Sequence, residues 1–144
     1  MERLPARRAM ALFQTFYVSR AATPFGHAVE PLLEHWRANN EGLGVTGCLL
    51  LAGRCFAQVL EGERATVQML ARRIAADPRH REMRILSEGS CAEREYVGWT
   101  MGYLHDVSLD DDLETLLMIP QRSAAVVADV MERMRPDPVM GALR

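Results

Sequence analysis

One stretch constrains the fold of this chain more than any other. Two apolar runs, 45–51 and 54–60, stand on either side of Ala52-Gly53. Strands joined by so short a connection must pair antiparallel, so this stretch predicts a β-hairpin. Each side of the hairpin carries a helical pattern. Over 27–39, after the break Pro24-Phe25-Gly26, Val29, Leu32, Leu33 and Trp36 recur at helical spacing, and Pro31 is tolerable only in the first turn. Asn39-Asn40 and Gly42 are expected to close that helix, because Asn and Gly accept the left-handed conformation of a helix end. Over 63–76, Val67, Leu70, Ala71 and Ile74 form the second stripe, which Asp77-Pro78 stops.

Three further strands complete the pattern. The run 12–18, LFQTFYV, places Phe13, Thr15 and Tyr17 on one face and Leu12, Gln14, Phe16 and Val18 on the other. Shorter candidates lie at 83–88 and 97–104. The order is β-α-β-β-α-β plus a fifth strand, which predicts an α+β, ferredoxin-like sandwich. Both helices then cover one face of the sheet and leave the other bare. The tail is expected to cover it with two helices. Ser108 would cap the first ahead of Asp110, Asp111 and Asp112, with Pro120 ending it; Ser123 would cap the second. The stripe Val126, Val127, Val130, Met131 and Met134 is read as packing on the chain's own sheet in preference to a partner's surface. Residues 1–105 thus form the predicted main domain and 106–144 a helical cap.

Composition limits what such a domain does. At 144 residues the chain makes one domain. Its formal net charge of -2 provides no basic excess for phosphate binding, so direct nucleic-acid binding is not expected. Cys48, Cys55 and Cys91 are odd in number and lack CxxC or paired-His spacing, which argues against a disulfide framework or a zinc site. No apolar run nears the roughly 18 residues of a membrane span, and no signal-type segment opens the chain. A cytoplasmic protein without membrane attachment is expected.

Three polar positions fall where core residues belong. Gln58 lies between Phe56 and Leu60 on one strand face, where an unpartnered amide would cost a few kcal/mol. In a ferredoxin-like sheet the first and third strands are neighbours, so Tyr17 is its expected partner. Such a pair is either a satisfied core contact or one wall of a ligand site. Asn39 and Asn40 are either caps or amides matched to a heterocycle whose edge alternates C=O and N–H. Arg73, Arg79 and His80 are either solvated or a phosphate contact. The chain has no GxGxxG, Walker loop, GxSxG or metal-ligand spacing.

Together, FYVSRA (16–21), NNEGLGVTG (39–47), FAQVLEG (56–62), DPRH (77–80) and GWTMG (98–102) resemble the BLUF family of flavin-binding blue-light sensors in its short, stand-alone form. The resemblance covers about 12–103. It implies a photoreceptor that is not an enzyme and that holds a flavin non-covalently, FAD foremost, with FMN or riboflavin as alternatives. It implies that light drives electron and proton transfer from Tyr17 and rearranges the hydrogen bonds of Gln58. Asn40 and Asn39 would contact the ring, and Leu32, Phe56 and Ile74 would sandwich it. Arg73, Asp77 and His80 would lie near its edge and tail. Trp99 and Met101 would be a last-strand pair that relays the signal. The departures are Ala57 and Ala52, where larger side chains are common. With no output enzyme following the sensor pattern, the signal would pass to a separate effector protein, and a homo-oligomer is expected. The alternatives are an acylphosphatase-like hydrolase, with Arg73 binding the anion and Asn40 positioning water but without an Arg-bearing loop directly after the first strand, where Arg20 is only nearby, or a flavin-free interaction module.

Overall fold

The computed structural model describes residues 11–22, 29–119 and 123–136. Five strands form one sheet: β1 (Leu12–Ala21), β2 (Thr46–Leu51), β3 (Cys55–Glu63), β4 (His80–Cys91) and β5 (Gly102–His105). Four helices accompany them: α1 (Glu30–Leu43), α2 (Arg64–Ala76), α3 (Asp110–Met118) and α4 (Ser123–Met134). The strand order is β4-β1-β3-β2-β5, with β5 parallel to β2 and the other pairs antiparallel. This is the expected α+β, ferredoxin-like arrangement with a fifth strand at the β2 edge.

The alternation along β1 sorts its side chains as expected. Phe13 and Tyr17 join Val45, Leu60, Val67 and Leu70 on the α2 side. Phe16 and Val18 join Leu50, Ala57 and Val59 on the other face, under Leu109, Leu113, Leu116, Val130 and Met134 of the tail. Val126, Val127 and Met131 also pack against that second cluster, so the tail stripe covers the chain's own sheet.

Several local expectations are corrected. Asn39 and Asn40 lie inside α1, and the helix ends instead at Gly44, whose φ of 70° is the left-handed conformation that glycine adopts freely. The 52–54 turn is closed by Ala52 N donating to Cys55 O at 2.9 Å, one residue longer than expected. β4 runs twelve residues where six were expected, because pairing with β1 sustains it without an apolar period of its own. β5 keeps only Gly102–His105, and residues 97–101 are not strand. To reach the β2 edge from the β4 edge the chain must cross the sheet, and it does so as irregular backbone with Gly98 at φ 79°. Ser108 is not a cap: the Asp106 carboxylate accepts from Ser108 N at 3.0 Å and from Ser108 Oγ at 2.6 Å, capping a 3-10 turn that leads into α3. The breaks proposed at Pro24-Phe25-Gly26 and Pro120, and the Ser123 side-chain cap, lie outside the described residues. The three cysteines are free, and burial pushes the Cys48 and Cys55 thiols up to about 12.

Candidate functional site

Antiparallel register sets Tyr17 of β1 directly opposite Gln58 of β3. Both side chains are buried on the face that α1 and α2 cover, with Gln58 6% exposed. The Tyr17 hydroxyl donates to Gln58 Oε1, so the amide's acceptor end is satisfied. Its donor end, Nε2, donates to Met101 Sδ at 3.2 Å. Thioether sulfur is a weak acceptor, so this second bond is the softer of the two. Burial, reinforced by the nearby Asp77 carboxylate, holds the Tyr17 phenol well above its ordinary pKa, so it keeps its proton.

Gln58 opens onto a cleft between α1, α2 and the sheet. Asn39, Asn40, Phe56, Ile74, Asp77, His80 and Met101 line it, all of them expected from the sequence. Its empty volume is about 580 Å³ including the open mouth. Asn40, 5% exposed, donates one amide N–H to Thr100 O at 2.9 Å. Its second N–H and its carbonyl oxygen remain for a ligand. At the mouth, Arg79 donates through Nε to Asp77 Oδ1 at 3.0 Å and through Nη2 to Oδ2 at 2.6 Å, a fork matched to a carboxylate. These bonds hold the Asp77 carboxyl down to about 2 against the opposing effect of burial. His80 lies 4.9 Å from the Phe56 ring and 2.8 Å from Ser19 Oγ through Nδ1. Burial lowers its pKa to about 4, outweighing the upward pull of Asp77, and the imidazole is neutral at physiological pH.

Three residues expected at the cofactor do not line this cleft: Tyr17 is fully buried and reaches it through Gln58, and Arg73 and Leu32 stand off it. Arg73 is exposed on α2, and its place at the mouth is taken by Arg79. Leu32 is only partly buried and does not line the cleft. Leu33 instead packs with Leu49, Leu51, Phe56 and Met101, and Trp36 reaches the cleft under the Arg79 guanidinium, 5.4 Å from the ring centre. The helical stripe read from the sequence held Leu33 and Trp36 as well as Leu32, and the contact face of α1 keeps Val29, Leu33 and Trp36 and turns Leu32 to its margin. Trp99 and Met101 precede β5 instead of lying on it. They face opposite sides of the sheet: Met101 packs with Phe56, Leu49 and Leu33, whereas Trp99 packs with Tyr96, Met134 and the tail helices. The hydrolase alternative loses its anion site. Arg20 pairs with Glu82 and Glu114, and Arg73 stands away from Asn40's cleft.

Sequence reasoning passed over Glu61 and Arg94. Glu61 is fully buried, and its carboxylate accepts from Gln14 Nε2, Thr46 Oγ1, Glu95 N and Tyr96 N at 2.8–3.0 Å. Arg94 donates to Thr46 Oγ1, Glu61 O and Gly44 O. The one available signal was a charged residue in phase with the buried positions Ala57 and Val59 of its strand.

Comparison with known proteins agrees with this fold. The family described as BLUF, sensors of blue-light using FAD, matches residues 12–102. The photoactivated adenylate cyclase subunit beta of Euglena gracilis is 29% identical over 123 residues, 82% of this chain and 14% of that protein. The alpha subunit from the same organism is 34% identical over 86 residues, 58% of this chain and 8% of that protein. The chain therefore spans a small part of these curated relatives. Among solved structures, the dark state of BlrB, a BLUF protein, superposes with a TM-score of 0.71 at 27% identity, covering 86% of this chain and 95% of that one. Klebsiella pneumoniae BlrP1, in a manganese/cyclic-diGMP complex, gives 0.62 at 31% identity, covering 89% of this chain and 35% of that one.

Proposed function

Because the chain belongs to the BLUF family and is a blue-light sensor that uses a flavin, we propose that Tyr17, Gln58 and Met101 are its light-responsive unit and that Asn40 and Gln58 hold the chromophore's polar edge. The donor set fits that chromophore. Phe56, Leu49, Leu70 and Ile74 offer apolar walls to a planar ring, while the Asn40 and Gln58 amides offer donors and acceptors to an edge that alternates carbonyl and N–H. Asn39 and His80 stand at the same cleft, with Asp77 and Arg79 at its mouth for the ring's outer edge and the tail. FAD is the preferred flavin, and FMN is compatible with the same contacts. Bound flavin supplies the photochemistry, since blue light makes it a strong oxidant; the protein supplies orientation and electrostatics.

The observation that carries the proposal is the polarised chain Tyr17 O–H to Gln58 Oε1 and Gln58 Nε2 to Met101 Sδ. A phenol whose proton already points at an acceptor can release an electron and that proton together, then recover both. The amide is a switch because its ends are electrically opposite. Turning it presents a donor to Tyr17, which must then accept, and an acceptor to Met101, which has nothing to donate. Each bond exchanged is worth about 1 kcal/mol, enough to shift a two-state equilibrium about fivefold. The chain from Met101 through Thr100 to Trp99 joins the two faces of the sheet and leads to the tail helices. We place the output there: residues from 106 onward act as a cap that conveys the state of Gln58 to an effector.

In this reading the chain is a sensor and not itself an enzyme, its effector is a separate protein, and it assembles as a homo-oligomer. The cyclase named for its relatives belongs to those proteins. Among the described residues no helix is long and apolar enough to cross a membrane. The test is spectroscopic. Purified protein should be yellow and shift its flavin absorption to the red after a blue flash. Tyr17→Phe should stay yellow and lose at least 90% of the shift, on the order of one bond's worth of coupling removed outright. A normal shift in that variant would overturn the assignment.

A further inference from the structure

We propose that Glu61 is a positioning residue for the Gln58 switch: its buried carboxylate anchors the segment that brings Met101 to Gln58, and so sets how long the lit arrangement lasts. This rests on the photoswitch reading above. All four groups that meet the Glu61 carboxylate are donors: Gln14 Nε2 at 3.0 Å, Thr46 Oγ1 at 3.0 Å, Glu95 N at 2.8 Å and Tyr96 N at 3.0 Å. A carboxylate offers about four lone-pair sites and no proton, so it suits this surrounding as no amide or hydroxyl does.

Two of those donors are consecutive backbone N–H groups of the crossing segment, so Glu61 holds that segment directly to β3, the strand that carries Gln58. From Tyr96 the hold passes on by short steps. Trp99 N donates to Tyr96 O at 3.0 Å, and Gly47 N donates to Trp99 O at 2.9 Å. Asn40 Nδ2 donates to Thr100 O at 2.9 Å, and Arg37 Nε donates to Met101 O at 2.8 Å. A Cβ at position 47 would lie 1.9 Å from Val59 O, so only glycine lets β2 lie this close to β3 at the residue that receives the segment. Met101 Sδ accepts from Gln58 Nε2 and can donate nothing in return, so its presence favours the amide orientation seen here. Slack at Glu61 lets the sulfur move away, removes that preference, and lengthens the life of the turned amide.

The experiment uses the full-length flavin-loaded protein and follows the return of its absorption in the dark after a blue flash. Glu61→Gln keeps the volume but sets an NH₂ group against donors. It should keep the spectral shift and slow the return at least about threefold, the scale of a fraction of one hydrogen bond. Met101→Leu should slow it similarly, and the double variant should be no slower than the slower single one, because both changes remove the same preference. Leu113→Ala, a buried back-face position, should lower stability without moving the rate, which separates positioning from mere loosening. If Glu61→Gln does not fold, Thr46→Ala decides, since it removes one of the four donors and an acceptor of Arg94; it should slow the return about twofold. Rates unchanged within about 1.5-fold in these variants, or additive effects in the double variant, overturn the proposal. An unsubstituted protein with no shift at all would instead overturn the photoswitch reading.

Discussion

His80 is the residue at which pH acts on this fold most directly. Its imidazole lies against Phe56 and beside Ser19, and burial brings its pKa from 6.5 down to about 4. The folded state therefore keeps it neutral while the unfolded chain binds a proton below about pH 6.5. Where the unfolded state holds more protons, stability rises with pH. The contribution is complete above that value, falls as pH drops, and is gone by about pH 4. Urea midpoints measured from pH 7.5 to 4.5 should fall more steeply for the unsubstituted protein than for His80→Gln, and parallel curves would contradict the burial argument. Tyr17 and Gln58 were legible as a pair because strand period sets the face of each and the ferredoxin-like order makes their strands neighbours. Glu61 was not legible, since its four partners come from β1, β2 and the crossing segment, and nothing in its own neighbourhood announces them.

At the scale of elements, α4 is held by a few buried contacts. Val130 and Met134 are fully buried, and the Tyr96 hydroxyl donates to Met134 O at 3.0 Å, so the helix end is bound to the same segment that carries Trp99. Met134→Ala should cost about 2–5 kcal/mol, the usual range for emptying such a core position, read as a lower urea midpoint. It should leave the flavin shift in place, because Met134 lies on the face of the sheet away from the cleft. Loss of flavin binding in a folded Met134→Ala protein would show that the two faces are not separable in this way. Hairpin, helices and the aromatic first strand were readable from period and turn residues. The crossing from Cys91 to Gly102 was not, since its apolar residues Tyr96, Trp99 and Met101 serve two faces in turn and keep neither strand nor helix period.

The whole molecule is a sheet covered twice, by α1 and α2 on the cleft side and by α3 and α4 on the other. Arg20 and Arg54 reach across to Glu114, and Arg54 also pairs with Asp110, which fastens α3 to the strands. Ending the chain at His105 would uncover Phe16, Val18, Leu50 and Val59, a contiguous apolar face of the kind that drives aggregation. The shortened protein should bind a hydrophobic dye strongly and melt at least about 10 °C lower, given that a few kcal/mol moves a domain of this size by several degrees each. An equally stable, dye-negative 1–105 fragment would mean that the cap contributes little. The order of elements and the two faces of the first strand follow from near neighbours in the chain and from a fixed period. The Tyr17–Gln58 pair, 41 positions apart, and the family were readable because ordered blocks of the sequence match a known fold. Packing set the rest: Arg79 and Trp36 line the cleft where Arg73 and Leu32 were expected, Trp99 and Met101 face opposite ways, and Glu61 binds the crossing segment. Those outcomes depend on helix phase and on contacts between residues tens of positions apart, which no local pattern records.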